Sequence, residues 1–247
     1  MIDPMTVYTW CARLNIAIGG LALLQSSIAG ARTAWSLAGL CWTIQAACFF
    51  KTMGVSLSGV APTFGLCALI LCLWQGKNLK ADYESGALRP RLTAVFLILL
   101  ALGSLVTEDY RTPSFMSGYM FARLFFLSRP LSLGLTLFAL GGAADIFFRN
   151  DDPDSGILFQ SKQAALLGAV IFLGGEIAGC YWGFSGWGTT WRWSGNFYFS
   201  AMLFVLYMVA LHVPRSVFTS ARAHAWGFFF PLAVIVLAMT LSKVMNL

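Results

Sequence analysis

The chain has 247 residues, of which 58% are hydrophobic and only 11% charged, with a mean hydropathy of +0.75. A soluble domain carries about 25% charged residues, so a hydrated globular surface is excluded. The formal net charge of +6 belongs to short connecting segments, where it sets topology and does not argue for nucleic acid.

Several apolar runs reach or approach the roughly 20 residues that span a bilayer as helix. In chain order they fall at about 12–31, 34–50, 57–75, 92–107, 128–148, 163–183, 197–213 and 225–244. The fold class expected is therefore all-α: one transmembrane domain over 1–247, a polytopic bundle of about eight helices. Ala29-Gly30-Ala31 has the small-residue character of a signal-cleavage site, but the segment before it has only Arg13 for a basic region. A retained first helix is expected. The second run is short and carries Gln45. Breaks are expected at Ala31-Arg32-Thr33, Lys51-Thr52, Gly76 to Arg91, Glu108 to Ser114, Arg149 to Lys162, Trp187 to Gly195 and Val213 to Ala223.

Basic residues in these breaks set the orientation. Nine fall on one face, with the densest cluster from Lys77 to Arg91, against seven on the other. The Lys77–Arg91 side is expected to be cytoplasmic, with both termini and a tryptophan-rich loop at 182–196 on the outer side of the inner (cytoplasmic) membrane. Six cysteines form no CxxC pair and read as packing residues inside apolar runs. With His212 and His224 the only histidines, a histidine-rich metal site is excluded, and no metal site is expected. Asp151, Asp152 and Asp154 read as a solvated hairpin, an oxygen-ligand metal site being the minor alternative.

Ionisable groups inside the membrane are costly and therefore mark candidate sites. Glu176 lies in the sixth run and shares a helix face with Gly179 and Gly183. Such a glycine face lets another helix or a flat ligand come close. Arg129, at the outer start of the fifth run, is the nearest cation, and Arg123 precedes it. A Glu176–Arg129 pair could be structural, or Glu176 could serve a ligand or a proton relay. Asp145 stands one turn before Arg149, suited to an i, i+4 pair.

Trp182, Trp187, Trp191 and Trp193 fall within twelve positions among Gly183, Gly186 and Gly188. An aromatic belt at the interface is one reading. A platform for a flat apolar ligand is the other, with Arg192 placed to neutralise an acidic group.

This stretch resembles the tryptophan-rich segment of the cytochrome c assembly family, the CcsA, CcmC, CcmF and HemX-like membrane proteins. The family pattern runs GxxW and then WGxxWxWDPxE. Gly179 and Trp182 match the first part; Trp187, Gly188, Trp191 and Trp193 match the second with the same spacing. His212 and Arg215 fall where such proteins carry a histidine-containing basic turn, and the resemblance covers about 163–246. The departures are Ser194 for Asp, Gly195 for Pro and Phe197 for Glu, and no outer-face histidine is present to ligate haem iron. Met116 and Met120 are conceivable substitutes but read better as packing residues.

The resemblance implies that haem or a related tetrapyrrole is bound or chaperoned at the outer face. Trp187, Trp191 and Trp193 would stack on the macrocycle, and Arg192 would meet a propionate. The alternative is a structural or assembly subunit that has lost haem handling and docks other membrane subunits, lipid or quinone. A transporter is a distant third, since no pair of broken polar helices is visible. Expected partners are lipid and other membrane subunits, or a cytochrome or haem-delivery protein. No residue set performs thioether chemistry unaided, so the expectation is a protein that is not an enzyme.

Overall fold

The computed structural model describes residues 4–52, 59–106, 119–149, 155–189, 195–218 and 220–245. Among them all regular structure is helical. The helices are α1 (Pro4–Leu24), α2 (Ile28–Thr52), α3 (Val60–Glu84), α4 (Arg89–Val106), α5 (Met120–Phe148), α6 (Ser155–Trp187), α7 (Gly195–Leu211) and α8 (Ala221–Val244). The chain is an α-helical membrane bundle, the class the apolar runs require: in hydrocarbon every backbone amide must find its partner within the segment. Five of the helices, α1, α3, α5, α6 and α8, are long and apolar enough to cross a membrane, while α7 is a shorter apolar helix.

The helices gather into two compact units, Met1–Ser117 and Gly118–Leu247. In the first, α1 packs on α2, α2 on α3, α3 on α4, and α4 back on α1. In the second, α5 to α8 close the same kind of ring. Small buried residues line the first interior, among them Ala12, Ala38, Ala68 and Ala101, and they let the helices approach closely. The second interior is bulkier, with Phe138, Phe172, Tyr207 and Phe228 fully buried.

Several helix ends differ from the sequence expectation, with α1, α5 and α6 each starting eight residues earlier, and three of the differences have a local cause. The first break lies at residues 25–27, not at Arg32, because Ser27 caps α2: its hydroxyl accepts from the Gly30 amide at 3.2 Å. Arg32 is thus inside a helix. The third helix runs on to Glu84, past Gly76, and turns through Gly86, whose φ of 64° suits glycine. The sixth runs on to Trp187 and stops at Gly188 (φ 71°), whose amide donates to the Phe184 carbonyl at 2.9 Å. Gly188, singled out as a ligand-platform residue, thus has a backbone role at a helix end.

Candidate functional site

The site centres on the antiparallel seam of α5 and α6. At Gly175 a Cβ would collide with the Ser128 side chain, and at Gly179 it would lie 2.7 Å from the Phe125 ring. At Gly175 and Gly179 the glycine face of α6 is therefore filled by α5, so of the two occupants expected there, a helix or a flat ligand, these positions take the helix. Because the backbones meet so closely there, the residues next to the glycines are brought together. Glu176 and Arg129 form an ion pair, Arg129 Nη2 donating to Glu176 Oε1 at 2.9 Å.

The same Nη2 donates to Ser200 Oγ on α7 at 2.9 Å, so one guanidinium ties three helices together. Its carbon lies 4.7 Å from the Phe125 ring centroid, a cation–π contact. The pair is only partly buried, with side-chain exposures of 16% for Arg129 and 26% for Glu176. Arg129 Nε has no hydrogen-bond partner among the described residues. Arg123, the other sequence-named cation, lies on the exposed surface near the start of α5.

An aromatic wall continues from this pair toward the end of α6. The Trp182 ring packs against Phe125 (6.1 Å), Phe126 (5.6 Å) and Trp187 (5.6 Å). Its indole Nε1–H is buried with no hydrogen-bond partner among the described residues, an arrangement that costs about 1–3 kcal/mol unless another group accepts that hydrogen bond. Trp187 is half exposed on the last turn of α6. Trp191, Arg192 and Trp193, along with Ser194 and Met116, lie outside the described residues. So do Asp151, Asp152 and Asp154. Met120 is exposed. Among the described residues no group of histidine, cysteine and carboxylate side chains could hold a metal ion.

Both histidines sit at the opposite end of this unit. His212 follows the last turn of α7 and its Nδ1 lies 2.9 Å from the Met208 carbonyl, a helix-end contact. The buried His224 ring lies 3.0 Å from the Val213 carbonyl and 3.4 Å from Lys162 Nζ. Ser200, which Arg129 contacts, stands on α7 twelve residues before His212, which at a rise of about 1.5 Å per residue puts about 18 Å between the Arg129 end and the histidine end.

Two polar clusters escaped the sequence reading. In the second unit, the buried Tyr207 hydroxyl bonds to Ser132 Oγ at 2.8 Å and Thr136 Oγ1 at 2.5 Å. In the first, Asp82 and Arg89, which fall within the break expected from Gly76 to Arg91, form a fully buried ion pair. Gln75 Nε2 donates to Asp82 Oδ2 at 2.6 Å, and Thr93 Oγ1 donates to Gln75 Oε1 at 3.1 Å. The seven-residue separation of Asp82 and Arg89 spans the Gly86 turn, so no helical spacing advertised it.

The class of protein is thus an α-helical membrane bundle whose second unit carries a cation–aromatic site at the end of α5 and α6. No protein-family model matches the chain, and no curated protein does either. Among solved structures the fold is similar to one described as "Cytochrome c Heme Lyase CcmF", with a TM-score of 0.58 and 16% sequence identity. The likeness covers 97% of this chain and 48% of that one, so the chain spans about half that protein's length. At this identity the likeness establishes the fold. It also corrects the expectation that the chain is not an enzyme, since the protein that shares this fold is named for a lyase activity.

Proposed function

We propose that the chain belongs to the cytochrome c assembly family and handles haem during its attachment to cytochrome c. The observation that carries this reading is the fold shared along 97% of the chain with a cytochrome c haem lyase. The tryptophan spacing from Trp182 to Trp193 supports it independently.

Haem is a substrate or cargo in this reading. The residues suit its apolar face and its carboxylates: Trp182 and Trp187 offer aromatic surface, and Arg129 is the cation at its border. Trp191 and Trp193 would extend the surface, with Arg192 supplying a second cation. They do not suit axial ligation at this end, since both histidines lie at the other. Iron ligands, and the cysteine thiols of the acceptor, would come from partner proteins. On this reading the tryptophan end faces the outside of the inner membrane.

The test is a haemin titration of the detergent-purified protein followed by its Soret band. A red-shifted band is expected, and Trp182→Ala with Trp187→Ala should weaken binding about tenfold if each ring contributes a stacking contact. Absence of a shifted band in the wild type would reject the reading; so would binding that neither this double variant nor Trp191→Ala/Trp193→Ala changes.

A further inference from the structure

We infer that the first unit carries a binding groove for an anionic glycerophospholipid between α2 and α3, independent of the haem reading. The groove has a volume of about 490 Å³, and its lining includes Arg32, Trp35, Gly39, Cys72, Gly76 and Leu79. That lies within the range of about 300–1,000 Å³ usual for small-molecule sites.

Its shape comes from residues without side chains. A Cβ on Gly76 would meet nothing within 4 Å, and one on Gly39 would only reach the Cys72 Cβ at 4.0 Å. Neither glycine has a positive φ or a crowded neighbour that requires it, so the missing side chains leave space and relieve no strain. The groove extends along α2 from Arg32 to Thr43, which at about 1.5 Å per residue is roughly 16 Å. The hydrocarbon core of a bilayer is about 30 Å thick, so the groove has the depth of one leaflet.

Its charged group and its unpartnered indole N–H sit at one end, while Thr43 at the other spends its hydroxyl on the Gly39 carbonyl. Arg32 is exposed and makes no hydrogen bond or ion pair with the described residues, although it lines the groove. Trp35 is 3% exposed, and its indole Nε1–H has no partner among the described residues. The antiparallel α3 brings Lys77 and Lys80 to the same end, Lys77 resting on the Trp74 ring at 5.1 Å and Lys80 lying 3.7 Å from Glu84. This end is anchored: the Tyr83 hydroxyl donates to the Gln25 carbonyl at 3.0 Å, holding the α1–α2 turn against α3.

An acceptor-rich anionic head would take the free guanidinium and the indole N–H, and one acyl chain would run inward past Gly76 and Gly39 to Cys72. A quinone supplies acceptors but no charge for Arg32. A helix from a second copy is about 10–12 Å across and does not fit a trough that two missing side chains create. The charge therefore selects an anionic lipid.

The experiment is native mass spectrometry of the purified full chain with phosphatidylglycerol or phosphatidylcholine added. One phosphatidylglycerol is expected to survive activation that strips phosphatidylcholine, with a preference of about fivefold from one interfacial cation. Arg32→Gln should abolish the preference and Arg32→Lys should retain most of it. Gly76→Phe should lose the retained lipid while eluting and melting as the wild type does. Equal retention of both lipids, retention unaffected by Gly76→Phe, or a quinone or second copy of the chain held in place of lipid would overturn the proposal. Should Gly76→Phe fail to fold, Gly39→Leu fills the same trough and is read in the same way.

Discussion

Each of the two four-helix units has an interhelical ion pair among its described residues, Asp82–Arg89 in the first and Arg129–Glu176 in the second, and these two are built on opposite terms. Asp82 and Arg89 are sealed from solvent, and Gln75 and Thr93 complete the carboxylate's hydrogen bonds. Arg129 and Glu176 remain partly open, and the guanidinium shares its attention with Ser200 and the Phe125 ring. A sealed pair offers nothing to a ligand, but neither partner can be removed without stranding a charge. An open pair costs less to hold and can exchange partners. The difference assigns scaffolding to the first pair and leaves the second as the place where chemistry can be added.

The largest effect should come from breaking the sealed pair. Arg89→Ala leaves Asp82 charged in the interior, and removing one partner of a buried pair costs about 3–5 kcal/mol. The cysteines provide a readout for each unit: Cys67 and Cys72 are buried in the first, and Cys180 lies on α6 in the second. Thiol labelling in mild detergent should become faster at Cys67 and Cys72 in this variant and stay unchanged at Cys180. Equal acceleration at all three would mean that the units open together and that the comparison is wrong.

An intermediate effect is expected at the α5–α6 seam. Gly179→Val places methyl groups against the Phe125 ring, where even a single Cβ is too close. Overpacking of this kind costs about 1–3 kcal/mol. Because the seam holds Arg129 against Glu176, Cys180 should label faster while Cys67 and Cys72 keep wild-type rates. Gly76→Ala, with open space around its Cβ, is the matched control and should alter none of the three.

The legibility of the molecule in its sequence follows the same division. The Arg129–Glu176 contact could be read because a carboxylate in an apolar run needs a partner, and few cations were near in the expected topology. Asp82 and Arg89 could not, because a dense set of charges from Lys77 to Arg91 looks like a wet loop. Helices can outrun the hydrocarbon, however, so charge marks depth and not the end of the helix. Arg32 misled for the same reason, while the true helix start was written in the hydroxyl of Ser27. Gly175 and Gly179 were legible as a close-approach face, but a sequence does not say whether a ligand or a neighbouring helix takes it. That the Trp182 indole N–H finds no partner among the described residues is a tertiary fact with no linear signature.

The smallest effect should come from Glu176→Gln. The amide keeps an oxygen where Glu176 Oε1 accepts from Arg129, and Ser200 and Phe125 continue to hold the guanidinium. What is lost is the charge–charge term of a partly exposed pair, about 0–1 kcal/mol. Labelling at Cys180 should therefore stay within a fewfold of wild type, and a melting curve should barely move. Arg129→Gln should cost more than this, since it removes the ties to α6 and α7 together and the cation–π contact with them. A Glu176→Gln variant as unstable as Arg89→Ala would show that the second pair is also scaffolding, and the open end of α5 and α6 would lose its claim to be the site.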